Sequence, residues 1–210
     1  MLRTLLPELR VTLPEGAVLD PRNLFPAAVD AVWLEIGFGG GEHLAAQAAA
    51  HPNHGIIGCE VFENGVVKLL AEVKRLGLGT VRLFIDDARL LIAALAEASL
   101  DRVFILFPDP WPKLRHNKRR IVSTALLDAL AHAMRDGAEL RLATDDMDYL
   151  GWILERATVH PAFTCIAEGP QDWRERPPDW PPTRYEQKAI AAGRQPVFLR
   201  FRRRPRRIGG

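Results

Sequence analysis

Trp33-Leu-Glu-Ile-Gly-Phe-Gly-Gly-Gly-Glu-His43 is an apolar run that dissolves into glycines and resumes as a helix-forming segment. Residues 31–36 read as a buried strand, because the run is continuous rather than alternating. Residues 42–50 read as the helix that follows. Between them Gly37, Gly39 and Gly41 free the backbone to take φ > 0 and to approach a ligand closely. The spacing is G-x-G-x-G, and Glu42 stands where a dinucleotide fingerprint needs its third glycine. A glutamate there opposes a pyrophosphate at a helix N-terminus. With Glu35 just before the turn, the stretch suits a neutral or cationic nucleoside instead. A glycine-rich turn with surface acids is the plain alternative.

The same alternation continues on either side. Residues 55–60, 81–85, 102–107 and 139–143 read as further strands, and 63–76, 88–98, 118–134 and 147–158 as helices. Val66, Val67, Leu70, Val73 and Leu76 keep a helical stripe that Gly77 and Gly79 end. Five βα units in succession predict an α/β fold, with a doubly wound, mostly parallel Rossmann-like sheet. Residues 163–168 read as a sixth strand. Residues 196–203 alternate with a period of two, which predicts an antiparallel C-terminal edge strand. Residues 169–182 hold five prolines and two tryptophans and read as a loop. The chain is read as one domain over 1–210, with a leader (1–30), this Pro-rich loop and a basic tail (202–210).

A length of 210 residues, 48% hydrophobic and 26% charged, is the balance of one globular domain. The longest apolar run is 90–96, well short of the roughly 18 residues that span a bilayer. Two cysteines, Cys59 and Cys165, supply neither a disulfide framework nor a four-cysteine zinc site. The expectation is a reduced, cytoplasmic protein with no membrane partner and no metal. The net charge of +2 is unevenly spread. Lys113, Arg115, Lys118, Arg119 and Arg120 form one basic stretch, and Arg200, Arg202, Arg203, Arg204, Arg206 and Arg207 another. They leave 17 basic residues against 26 acids elsewhere. Such concentration suggests a polyanionic partner, against the plainer reading of a solvated face and a frayed tail.

Acids fall at the carboxyl ends of successive strands, where α/β folds bind ligands. Glu60 is placed to accept from ribose hydroxyls, and Asp87 from an adenine amino group. After the fourth strand comes Phe107-Pro-Asp-Pro-Trp-Pro-Lys-Leu-Arg-His-Asn-Lys-Arg-Arg120. Asp109 is stiffened by prolines on both sides. Trp111 offers a stacking face, and the cations that follow suit phosphates.

That segment resembles the signature of the bacterial tRNA (guanine-N7)-methyltransferases, a class I S-adenosylmethionine-dependent family. The likeness runs from Leu34-Glu-Ile-Gly-Phe-Gly39 through Gly58-Cys-Glu60, Asp87-Ala-Arg89 and Phe107-Pro-Asp-Pro-Trp111 to Ala143-Thr-Asp145. It closes with Thr183-Arg-Tyr-Glu186 and a last strand. The resemblance implies that Glu35, Glu60, Asp87 and Asp109 contact S-adenosylmethionine or the reaction centre, beside Gly37, Gly39 and Gly41. Lys113, Asp145, Thr183, Arg184, Tyr185 and Glu186 would then contact the guanine or its nucleotide, and Asp109 would be catalytic. The implied reaction is methylation of guanosine N7 in the variable loop of tRNA. Asp86, beside Asp87, leaves the adenine contact open by one residue. Thr183 and Glu186 also have the spacing of a helix capping box, and both roles can hold. Trp173 and Trp180 could pack the Pro-rich loop or stack on RNA. Two rival readings are an exocyclic-amine methyltransferase, whose D-P-P-Y/W turn is similar, and a non-enzymatic RNA-binding module.

Overall fold

The computed structural model describes residues 2–206. A one-turn helix α1 (Leu6–Leu9) opens the chain. The central elements alternate: β1 (Ala31–Ile36), α2 (Glu42–Ala50), β2 (His54–Cys59), α3 (Glu63–Leu76), β3 (Val81–Phe84), α4 (Ala88–Ala94) and β4 (Leu100–Leu106). They continue with α5 (Thr124–Ala133), β5 (Met134–Thr144), α6 (Met147–Ala157), β6 (Phe163–Cys165), α7 (Gln171–Arg174), α8 (Arg184–Ala191) and β7 (Val197–Arg203).

The seven strands form one sheet in the order β3-β2-β1-β4-β5-β7-β6. The first five are parallel, and β7 runs antiparallel to β5. The antiparallel strand thus comes at the C-terminal side of the sheet, with the three-residue β6 paired outside it. Chain order reverses between β1 and β4, which opens a crevice beyond their carboxyl ends. Each β1 residue is buried because helices cover both faces. Val32, Leu34 and Ile36 face α4, α5 and α6, whereas Trp33 shares the other face with α2, α3 and Trp180.

Several expectations shift: the strand expected over 163–168 ends at Cys165, and the Pro-rich loop contains the one-turn α7. The helix expected over 118–134 is divided: a 3-10 segment, Leu114–Arg119, is followed by a break, and α5 begins only at Thr124. The Ser123 hydroxyl accepts from the Leu126 amide at 3.2 Å, an N-cap that outcompetes helix continuation through Ile121 and Val122. Met134 belongs to β5, whose Gly137 takes φ +81° where the register with β4 shifts. The helix expected over 88–98 ends at Ala94.

The leader is not free. Arg10 bridges to Leu83 and so extends the β3 edge, and Phe25 packs where a side chain at Gly55 would otherwise stand. Arg202 and Arg203, which fall in both the expected strand 196–203 and the expected tail 202–210, complete β7. Residues 207–210 of the expected tail lie outside the described residues. No described helix is long and apolar enough to cross a membrane.

Candidate active site

Two cavities open at the carboxyl edge of the sheet, the first over the β1/β4 crevice and the second beyond β4 and β5. The first, of about 300 Å³, is bounded by Gly37, Gly39, Glu60, Asp87, Asp109 and Trp111, among others. One edge of it is the backbone of the glycine turn. Gly37 and Gly39 hold φ of +71° and +56°, and the Gly37 amide donates to the Cys59 carbonyl at 2.8 Å, tying the turn to the end of β2. A side chain on Gly65 would collide with the Gly39 carbonyl, so α3 presses its first turn against the loop. Gly41 lies just outside the cavity. It caps α2 at φ +80°, and a Cβ there would come within 2.8 Å of Leu69.

Glu60 is 7% exposed and its carboxylate spans the turn. One oxygen accepts from Gly39 N at 2.9 Å, the other from Val61 N and Phe62 N at 2.8 and 3.0 Å. Asp87 caps α4 and is held by Arg89, whose Nη2 lies 2.6 Å from Oδ2. The hydrogen bond from Arg89 keeps the Asp87 carboxyl below the usual carboxylate range. Asp86 stands on the same wall and accepts from the Asp87 amide at 2.7 Å. Beneath, burial pushes the Cys59 thiol far up, so it stays neutral.

The second cavity, of about 720 Å³, lies between the loop after β4 and the starts of α6 and α8. Asp145, Met147, Lys188 and Arg194 bound it, and Asp145 accepts from Arg194 Nε at 2.6 Å. Phe107, Pro108, Asp109 and Tyr185 belong to both cavities. Asp109 is therefore an exposed carboxylate at the seam. Its loop is wound tightly: Phe107 and Trp111 take φ of +52° and +46°, a left-handed conformation costly for side-chain-bearing residues. Arg120, 3% exposed, holds that winding by donating from Nε to the Pro110 carbonyl at 2.8 Å and pairing with Asp148 on α6.

The remaining expected residues are placed as follows. Tyr185 leans on the glycine turn, where a Cβ at Gly39 would come within 2.8 Å of its ring. Arg184 borders a small recess beside Glu60 and Lys68. Thr183 and Glu186 form the capping box of α8, buried behind Tyr185, and Arg176 Nε reaches Glu186 at 3.0 Å. Glu35 lies beneath the turn, off the cavity wall, with its carboxylate 2.7 Å from His43 Nδ1. Lys113 is exposed at the head of the 3-10 segment and borders neither cavity. Trp180 is 2% exposed and meets Phe198 edge-on at 5.6 Å, so it packs the Pro-rich loop. Trp173 is half-buried against the core.

The family described as "Putative methyltransferase" matches residues 30–199. A tRNA (guanine-N(7)-)-methyltransferase from Rhodospirillum rubrum is 56% identical over 209 residues, covering 98% of this chain and 82% of that protein. The chain belongs to the tRNA (guanine-N(7)-)-methyltransferase family. A relative of the same name from Paramagnetospirillum magneticum is 52% identical, over 98% of this chain and 87% of its own length. Among solved structures, a variant of the 16S rRNA (adenine(1408)-N(1))-methyltransferase of Catenulisporales acidiphilia, with cosubstrate SAM, is similar at a TM-score of 0.56 and 16% identity. It covers 87% of this chain and 89% of that one, and the likeness concerns the fold.

Sequence reasoning left several wall residues of the methyltransferase without a role. Phe62, 67% exposed beside Glu60, is an aromatic residue on the first cavity's wall. Arg89 lies inside a quoted motif, but its grip on Asp87 needed the turn geometry. Lys188 and Arg194 reach the second cavity only because α8 and the turn before β7 return to the carboxyl end of β5.

Proposed function

We propose that this chain transfers a methyl group from S-adenosylmethionine to N7 of a guanosine in the variable loop of tRNA. The observation that carries the reading is the seam: a nucleoside-sized cavity over a glycine turn meets a second cavity at one exposed carboxylate, Asp109. The first cavity fits the cofactor, because Gly37 leaves its backbone open on the wall and Glu60 follows β2 where ribose hydroxyls can be received. S-adenosylmethionine bound there supplies an electrophilic methyl group.

The protein's task is positioning. Guanine N7 carries a lone pair and no proton, so no general base is needed. Holding two reactants in line can contribute about 7–11 kcal/mol of barrier lowering. The second cavity receives the guanine, with Tyr185 as its aromatic wall and Asp145 as an acceptor for its donors. Asp109 faces the ring as it becomes cationic and lowers the barrier electrostatically. The buried Thr183–Glu186 box acts behind this wall by fixing the start of α8, and Glu35 acts beneath the turn.

The exposed Lys113, Arg115, Lys118 and Arg119 follow the Asp109 loop in the chain and suit the RNA backbone. Arg119 also lies 4.8 Å over the Trp111 ring. A test combines methyl-labelled S-adenosylmethionine, unmodified tRNA transcript and nucleoside analysis. Label is expected in 7-methylguanosine and should vanish when the variable-loop guanosine is replaced by adenosine. Label in an exocyclic-amine product would overturn the substrate assignment.

A further inference from the structure

A buried polar chain runs from beneath the glycine turn, along α2, to the Pro-rich loop, and no step of the methyl transfer uses it. Glu35, His43 and Gln47 are 3%, 2% and 2% exposed. Glu35 stands on β1 just before the glycine turn, and the other two lie one helical turn apart on α2. His43 Nδ1 is 2.7 Å from Glu35 Oε2, and His43 Nε2 is 3.3 Å from Gln47 Nε2. Gln47 Nε2 donates to the Asp179 carbonyl in the Pro-rich loop at 2.8 Å.

The direction of every bond is fixed by chemistry. A carbonyl only accepts, so the Gln47 amide nitrogen must face Asp179. That nitrogen then offers its second N–H to His43, whose Nε2 accepts and whose proton is therefore on Nδ1, pointing at Glu35. Each link depends on the one before it.

What the chain holds is the foot of the loop that carries α8. The Asp179 carboxylate meets Arg141 at 2.7 Å, and Trp180 is buried against Phe198. Arg176 joins the Trp180 carbonyl to Glu186, and Glu186 closes the capping box that begins α8. One residue earlier, Tyr185 returns to the glycine turn and rests on Gly39. The loop and its helix are thus held at two places, at the glycine turn by Tyr185 and at α2 by Gln47.

We propose that His43 and Gln47 are positioning residues that set the guanine-side wall of the second cavity against the cofactor turn. The inference rests on the reading of that cavity as the guanine site. Gln47→Met keeps the shape and removes the donor. His43→Asn keeps an N–H at the Nδ1 position for Glu35 but removes the acceptor for Gln47. For both we expect the KM for tRNA to rise about tenfold while the Kd for S-adenosylmethionine moves less than about twofold, as befits one lost buried hydrogen bond at a distance. Because both cut one chain, the double variant should be no worse than the poorer single.

Hydrogen exchange gives a readout without turnover: amides over 179–187 should lose protection in each variant, and those of α3 should not. Equal changes in cofactor Kd and tRNA KM, multiplying effects in the double variant, or unchanged exchange over 179–187 would each overturn the proposal. A wild-type protein that leaves tRNA unmethylated would instead overturn the substrate reading, whatever the exchange pattern.

Discussion

Gly39 carries two demands in one residue. Its φ of +56° lies in the region that costs an ordinary residue about 1–2 kcal/mol, and a Cβ would press on the Tyr185 ring at 2.8 Å. Gly37, at φ +71°, faces open space and carries only the first demand. Gly39→Ala should therefore raise the S-adenosylmethionine Kd about tenfold or more, and Gly37→Ala by less, in calorimetric titrations. Wild-type affinity in both variants would remove the turn from the cofactor site. The position of such residues around the cavity was legible in the sequence, because the carboxyl ends of strands in an α/β fold face the crevice. Glu60, Asp87 and Asp109 could be placed that way. Glu35 could not be placed: its side chain turns inward to His43, and a strand's pattern does not say what the next helix offers it. Lys113 had the same difficulty in a segment whose path depends on Arg120.

At the scale of elements, the loop after β4 owes its shape to a tie that sequence conceals. Arg120 sits in a run of cations that suggests solvent or RNA, yet it is buried, with Tyr149 and Trp152 rings about its guanidinium at 5.1 and 5.0 Å. Arg120→Met leaves the Pro110 carbonyl unpaired and should cost about 2 kcal/mol in urea unfolding, with a larger loss of methylation than Asp148→Asn. Asp148 is 73% exposed, so its loss should cost little. Equal costs would show that the ion pair, and not the carbonyl tie, holds the loop.

The foot of the Pro-rich loop makes a second element-scale prediction. Burial, then Arg102, lowers the pKa of His51, and burial, then His51, that of His54. Burial raises the carboxyls of Glu139 and Asp179, but Arg141 and its neighbours outweigh it and leave both below the usual range. A histidine kept neutral in the fold is neutral in the unfolded chain too above about pH 6.5, and below that the unfolded chain alone binds the proton. The two carboxylates act in the same direction below about pH 4. Stability should thus be full at neutral pH, begin to fall through pH 6, and fall again near pH 4. Substituting both histidines should flatten the first step. A stability that rises on acidification would contradict this charge arrangement.

Over the whole molecule, the two basic stretches divide their labour. Arg206 donates to the carbonyls of His132 and Met134 at 2.7 and 2.8 Å and pairs with Asp136, while Arg200 holds Glu139. Those C-terminal arginines staple β7 to the ends of α5 and β5. Lys113, Arg115, Lys118 and Arg119 are exposed, and Arg119 lines the first cavity. Replacing these four by alanine should flatten the salt dependence of tRNA binding, the logarithmic slope falling by about 0.7–0.9 for each phosphate no longer neutralised. Arg206→Ala should lower the melting temperature with the slope intact.

The sequence could show where charge was concentrated but not which charges were already paired, since their partners lie up to 109 residues away. The parallel sheet was legible from its continuous apolar runs. The joining of two cavities at Asp109 was not, because it depends on α8 folding back over the turn.

The most direct test of that junction is one measurement on two variants: cofactor Kd beside the single-turnover methylation rate on tRNA, for Glu60→Gln and Asp109→Asn. We expect Glu60→Gln to weaken cofactor binding about tenfold or more with a near-normal rate at saturation. Asp109→Asn should lose about 10²–10³ in rate with a near-normal Kd. The same pattern in both variants, or a full rate in Asp109→Asn, would contradict a site divided between two cavities that meet at Asp109.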